Sequence, residues 1–313
     1  MAKMKALVKE QDTVAIREER RPQLQAPDEV IIQVEIAGLC RTDVYVAEGR
    51  IATAGRLILG HEFSGVISER GTQVKAHKEG DRVTVNPQLA CGQCPSCWAG
   101  ESLSCPHGGF LGVHRNGAFA EYIGVPAAAV HQLPDTVSFR QGAYTEPVAA
   151  SLAVLKAGIT VQERGLIYGD NRISRLTHAI LEAYGFTDVA IFDAGQGMLP
   201  ADTYDFIIET LATTATLEEI VRAIRPRGKI ILKSRQHRPV SLNFTDLIKK
   251  EPVLHAVNCG PFEEALALMA DGRLALQPLW GEVYALEDFA DVFAKSEENE
   301  AVKLFFAPSG REP

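Results

Sequence analysis

The sequence predicts an α/β protein of two domains: a mostly-β unit over residues 1–150, a parallel sheet wrapped by helices over 151–280, and a last segment, 281–313, that returns to the first unit. Three observations carry this. At 313 residues the chain is too long for one ordinary core. Short apolar runs cut by Gly, Pro and Asp fill its first half. From Gly165 onward, such runs alternate with stretches of helical periodicity.

Taken in order, "KALVKE", "EVIIQVEIAG", "FSGVISERG", "DRVTVNP", "AEYIGVP" and "VHQLP" read as the strands of the first unit. Near Ala143 the pattern changes, and "PVAASLAVLKAG" has helical spacing. Then follow "GLIY", "ISRLTHAILEAYG", "DVAIFD", "YDFIIETL", "TLEEIVRAIRPRG" and "KIILKS", a strand–helix alternation that argues a parallel sheet covered on both faces. After Trp280, "GEVYALEDFADVFAKSEENEAVKLFFAP" reads as strand, capped helix and strand. Internal repeats and low-complexity tracts are absent.

Composition narrows the function classes. A net charge of −8 and the lack of any Lys/Arg block argue against nucleic-acid or anionic-membrane partners and leave small molecules. No apolar stretch approaches the roughly 20 residues that span a bilayer. The start, "MAKMKALVKEQD", lacks a secretory h-region, so a cytoplasmic location is expected. In that compartment six cysteines need an explanation other than disulfides.

Four of the six lie in "CGQCPSCWAGESLSC", with Cys91, Cys94, Cys97 and Cys105 spaced C-x2-C-x2-C-x7-C in a loop dense in Gly, Pro and Ser. Closely spaced turns of this kind supply four thiolates to a tetrahedral zinc. Iron–sulfur ligation is the rival, and it lacks the usual following proline. Four thiolates close the coordination sphere, so this ion is structural and the chemistry lies elsewhere.

Two other stretches stand out: "GLCRTD", with Cys40 and Thr42, and "LGHEFSG", with His61 and Glu62. A thiolate, an imidazole and a carboxylate make a mixed donor set with an open position, as a catalytic zinc requires. Singly, each has a plainer reading, since a lone Cys is usually a small buried hydrophobe.

Together with "GAFAEYIGVP", "TEPVAASLAVLKAG", "IRPRGKIIL" and "YALEDFADVF", these stretches give the chain, over nearly its whole length, a resemblance to the zinc-containing medium-chain alcohol dehydrogenases, especially the threonine, sorbitol and polyol branch. The resemblance implies a GroES-like, mostly-β catalytic domain followed by a Rossmann-type domain. It implies Cys40 and His61 as ligands of a catalytic zinc, Glu62 as a ligand or exchangeable neighbour, and Glu146 as the residue that completes or approaches the metal. Thr42 matches the hydroxyl that passes the substrate proton toward solvent, and Asp43 is expected to fix the loop. Where the polyol pattern reads Cys-Gly-(Ser/Thr)-Asp-x-His, this chain reads Cys-Arg-Thr-Asp-Val-Tyr. Arg41 is thereby a candidate to face an anionic group, or else solvent. Tyr45 stands where a histidine would extend the relay, and a phenol with a pKa near 10 relays a proton only if perturbed.

The family's G-x-G-x-x-G turn falls on "GDNRIS", with Gly169 first, Asn171 second and Ser174 third. The second glycine normally admits the pyrophosphate and the third allows close helix packing. Serine is a mild change; asparagine places a side chain where phosphate would lie. The helix start behind it is expected to offer free N–H groups, with Arg172 as a further phosphate contact. Asp193 ends "VAIFD", where a carboxylate accepts ribose hydroxyls, and no basic residue follows, which favours NAD over NADP.

Only ten residues, "AGQGMLPADT", join Asp193 to the next strand at Tyr204. Crossing to the far side of the first strand takes about 20 Å, from a strand of about 17 Å and two spacings of about 4.8 Å, and ten extended residues reach about 33 Å. A bare loop suffices, and the Rossmann-type domain is expected to be shortened by an outer strand.

The leading expectation is a dehydrogenase that moves hydride between a secondary alcohol (a polyol, amino alcohol or sugar-like metabolite) and NAD(H), with one catalytic and one structural Zn2+. The alternative is a zinc Lewis-acid enzyme of non-redox type, for enolisation or dehydration, that has lost its nicotinamide; a silent zinc protein is the third reading. A homodimer or homotetramer is expected from the resemblance. His114 and Asn116, in "GVHRNGAF", read as a surface loop, and Cys259 as a small hydrophobe near a helix start.

Overall fold

The computed structural model describes residues 2–53, 55–235, 239–298 and 300–310. The chain divides into two compact units, Met1–Glu146 with Trp280–Pro313, and Pro147–Leu279. Among the described residues no helix is long and apolar enough to cross a membrane.

The first unit is built mainly on antiparallel strands, with Trp280–Tyr284 and Lys303–Phe306 paired in parallel. Lys3–Glu10 lies between Thr13–Arg20 and the short Leu57–Ile58. A larger sheet runs in the order Val130–Gln132, Arg82–Val85, Glu62–Arg70, Glu29–Gly38, Lys303–Phe306, Trp280–Tyr284, with Tyr122–Pro126 also on Glu29–Gly38. The run 29–38 is central and buried along nearly its whole length, which is why apolar residues and glycine fill all of it but Glu29, Gln33 and Glu35. Leu7, Val30, Ile32, Val34, Phe63, Val83, Phe119 and Phe306 meet in the core between the strands. The strand Thr13–Arg20 pairs on one side only: Val14 and Ile16 pack partly buried against this core, while its charged second half stays largely exposed.

The C-terminal segment joins this sheet as strand, helix and strand, at Trp280–Tyr284, Phe289–Glu298 and Lys303–Phe306. Phe305 pairs with Gly38 and Phe306 with Ala37, so the last strand is laid antiparallel against the strand that leads to Cys40.

The second unit holds a parallel sheet in the order Val189–Phe192, Gly165–Tyr168, Tyr204–Glu209, Ile224–Leu232, Val253–Ala256. Helices Arg172–Ala183, Thr214–Ala223 and Phe244–Lys250 connect its strands. Tyr204–Glu209 does lie on the far side of Gly165–Tyr168 from Val189–Phe192. The ten-residue link between them forms one 3-10 turn, Ala194–Gln196, and otherwise loop. Five strands are present among the described residues.

Candidate functional site

The ligand candidates of the first unit come from the ends of adjacent strands. Glu29–Gly38 delivers Cys40 two residues past its end, while Glu62–Arg70 begins at Glu62, and Gly38 pairs directly with Glu62. His61 therefore sits beside Cys40 by strand register alone. The Cys40 thiol and one donor atom each of His61 and Glu62 lie within 4.8 Å of one another. Glu146, in the first turn of Thr145–Leu152, is buried and lies outside this cluster.

Asp43 fixes the arrangement. Cys40 caps the helix Arg41–Ala47, and Asp43 at its third position reaches back to accept the Cys40 N–H at 2.9 Å, a capping box with cysteine as cap. The other oxygen of the same carboxylate accepts the Gly60 N–H at 3.2 Å and meets His61 Nδ1 at 3.0 Å. This engages Nδ1 and leaves Nε2 for a metal, the carboxylate–histidine arrangement that orients zinc ligands. Gly60 makes the turn at φ +93, and a Cβ there would strike Phe119.

The electrostatics match a thiolate ligand. Burial opposes ionisation of Cys40, but the neighbouring charges of His61 and Lys303 outweigh it and bring the thiol down to about 6. Burial counts against a charged imidazole as well, yet Asp43 and the Cys40 thiolate raise His61 well above its ordinary value. Burial pushes Glu62 up to about 7 despite the opposing charge of Lys303.

Lys303 is the residue that sequence reading missed. It is fully buried and forms an ion pair with Glu62. It arrives there because its strand is third in line at the same end of the sheet. The pair passes over Gly38, where an added Cβ would come within 2.7 Å of Lys303 Cε and 2.9 Å of Glu62 Oε2. The available signal was a lone charge inside the apolar run "AVKLFFAP". Because the partner would be left as an unpaired buried carboxylate, Lys303→Met is expected to destabilise the fold by about 3–5 kcal/mol, and Lys303→Met with Glu62→Gln to recover most of it. Chemical denaturation of the two variants measures this, and a single variant as stable as wild type would contradict the pairing.

Thr42 and Tyr45 share the helix Arg41–Ala47 three positions apart, hence one face, and both are half-buried. The Arg50 guanidinium lies over the Tyr45 ring at 5.1 Å. Arg41 pairs with Glu300, so its charge is met by the chain itself. His114 Nδ1 accepts the Phe110 N–H at 3.1 Å and Asn116 Oδ1 the Ile58 N–H at 3.1 Å, both holding their loop. Cys259 is half-buried just before the helix Phe262–Ala270.

The four-cysteine lobe fits a metal. A tetrahedral ion with bonds of about 2.3 Å sets its sulfurs about 3.8 Å apart. The Sγ atoms lie 3.9 Å apart for Cys91 and Cys97, 3.5 Å for Cys94 and Cys97, and 3.8 Å for Cys94 and Cys105. These separations far exceed a disulfide bond. The backbone N–H of Cys91, helped by that of His107 against burial, brings the Cys105 thiol down to about 6, the ionised form that zinc takes.

In the second unit, Gly169 turns at φ +111 after the strand Gly165–Tyr168, and Asp193 follows the neighbouring strand, exposed and accepting weakly from Gly195 N–H at 3.5 Å. This is the strand–turn–helix frame on which dinucleotide turns are built. One expectation needs correction. The N–H groups at the start of Arg172–Ala183 are not all free, because Asn171 Oδ1 accepts those of Ile173 at 2.9 Å and Ser174 at 3.1 Å. Asn171 is the helix cap in extended backbone, and needs no left-handed conformation. Arg172 is the first helical residue, half-buried.

Comparison with known proteins agrees with this frame. Residues 26–135 match the family described as the alcohol dehydrogenase GroES-like domain. A D-xylulose reductase of Morganella morganii is 30% identical, the alignment covering 94% of this chain and 98% of that protein. The chain belongs to the zinc-binding medium-chain dehydrogenase/reductase superfamily. Other members resemble it over as great a length. The sorbitol dehydrogenase of Halalkalibacterium halodurans is 26% identical over 97% of this chain and 99% of its own. A zinc-binding dehydrogenase of Sinorhizobium meliloti, solved with NADP, superposes with a TM-score of 0.91 at 26% identity, covering 98% of this chain and 100% of that one. As a superfamily member the chain is a zinc-binding oxidoreductase related to NAD(P)-dependent alcohol and polyol dehydrogenases.

Proposed function

We propose that this protein oxidises a secondary alcohol of a polyol, amino alcohol or sugar-like metabolite, with NAD as hydride acceptor and zinc at Cys40, His61 and Glu62. The observation that carries the reading is the buried mixed donor set, oriented by Asp43, with a hydroxyl at Thr42 on the adjoining helix. When bound, the zinc supplies a Lewis acid for the alcohol oxygen and the dinucleotide supplies the acceptor for hydride. Glu146 closes the site from the neighbouring helix. Thr42 takes up the hydroxyl proton and hands it toward Tyr45 on the same helix face. Asp193 receives the ribose hydroxyls. The names of the relatives, xylulose reductase and sorbitol dehydrogenase, support the substrate class. The ten-residue link after Asp193 supports a domain that has lost an outer strand on the adenine side. The test is the formation of NADH with a panel of polyols, amino alcohols and aldoses; silence across the panel with both nicotinamide cofactors would refute the reading.

One observation favours a second reading. Because Asn171 occupies helix N–H groups that a pyrophosphate uses, the second reading is a zinc enzyme of non-redox type, distinguished by failure to bind NADH at any concentration up to millimolar.

A homodimer, or a dimer of dimers, fits the second unit. Val253–Ala256 is the last strand of its sheet, with Val253 and Leu254 well exposed, and Phe244 and Ile248 stand 75% and 74% exposed one helical turn apart. An open apolar edge pairs readily with a second copy. Sedimentation of wild type and Leu254→Lys would show a dimer and a monomer; two identical monomers would oppose it.

A further inference from the structure

In a G-x-G-x-x-G turn, the second glycine lets a pyrophosphate close on the helix N-terminus and the third lets the helix pack on the strand. Both positions carry polar side chains here, and the structure joins them into one unit. Asn171 Oδ1 caps Ile173 and Ser174, while its Nδ2 donates to Thr210 Oγ1 at 3.0 Å. Ser174, fully buried, sets its hydroxyl 2.9 Å from the same Thr210 oxygen. Thr210 in turn donates to the Tyr168 carbonyl at 2.8 Å. Every member can be satisfied at once: Thr210 accepts from Asn171 and Ser174 and spends its single proton on Tyr168.

The retained glycine belongs to the same unit. A Cβ on Gly169 would lie 2.5 Å from Thr210 Oγ1, so glycine is needed there by the chain's own packing, with no ligand in place. Arg175, one turn into the helix, is likewise engaged, its guanidinium bound to both oxygens of Asp170 at 2.8 and 3.1 Å. The two departures from glycine are thus a single coupled change, with Thr210 as the node.

We propose that Asn171, Ser174 and Thr210 form a latch across the cofactor turn, which a dinucleotide opens by displacing the Asn171 amide from the N–H groups of Ile173 and Ser174. This rests on the reading that NAD is the cofactor. The latch lowers affinity for any ligand that presents a pyrophosphate there and leaves ligands without one untouched. Glycine at 171 removes the competing acceptor while remaining a tolerated helix cap, so the variant folds.

The test titrates NADH, ADP and adenosine calorimetrically into wild type, Asn171→Gly and Asn171→Ser. Asn171→Gly is expected to bind NADH and ADP about twofold more tightly, the equivalent of the roughly 0.4 kcal/mol by which an asparagine cap exceeds a glycine cap. Asn171→Ser, whose hydroxyl still caps, stays closer to wild type, and adenosine binds all three alike. Without ligand, amide exchange at Ile173 and Ser174 is faster in Asn171→Gly than in wild type. Equal NADH affinity in wild type and Asn171→Gly would overturn the latch and leave the NAD reading standing. No NADH binding by any of the three would overturn both.

Discussion

Cys97→Ser is expected to lower zinc from two ions per chain to one and to drop the melting temperature by roughly 10 °C. The lobe from Cys91 to Cys105 has almost no core: Cys94 is its one buried residue, while Trp98 is 74% and Leu103 49% exposed. A segment whose large apolar side chains face outward is held by its metal or not at all. Structural zinc in small domains contributes about 10–16 kcal/mol. If about a third of that couples to the whole fold, near 4 kcal/mol is lost, and at about 2–4 °C per kcal/mol the shift is of the stated size. Metal analysis with a thermal melt checks both numbers together. A variant that loses one zinc and melts like wild type would show that the lobe is ornamental to the fold.

His61→Ala is expected to have the opposite signature, a modest loss of stability and a fall in kcat/KM of about 10³-fold or more. The imidazole supplies a ligand atom that no neighbour replaces, since Asp43 is committed to the Cys40 and Gly60 N–H groups and Cys40 and Glu62 already belong to the donor set. Loss of Lewis-acid assistance costs several kcal/mol of transition-state stabilisation, and about 4 kcal/mol is three decades in rate. The lobe zinc stays, so metal analysis reads one ion. Turnover within tenfold of wild type would remove His61 from the chemistry.

How far the sequence could be read follows from where information is local. Cys91, Cys94, Cys97 and Cys105 announce a metal by spacing, because their geometry is set by turns of a few residues. Strand alternation after Gly165 revealed the parallel sheet, and the ten-residue link after Asp193 is long enough for the strand order observed, which its length alone did not dictate. Lys303 could not be placed, because it and Glu62 lie 241 positions apart in the chain, on two strands that meet across Gly38. Thr210 was invisible for a similar reason: nothing near it in sequence says that its hydroxyl faces Gly169. The expectation of free N–H groups behind Asn171 failed on a local rule, since Asn before a helix is a favoured cap and its side chain takes those groups first.

The most direct test of the account is to strip the protein of metal, restore zinc stepwise, and follow NADH formation with a polyol that wild type oxidises. The lobe of four thiolates fills first, so turnover is expected to stay near zero through the first equivalent and to rise through the second, and Cys40→Ser is expected to stay silent throughout. Full turnover at one zinc per chain, or in Cys40→Ser, would contradict the assignment of the chemistry to Cys40, His61 and Glu62.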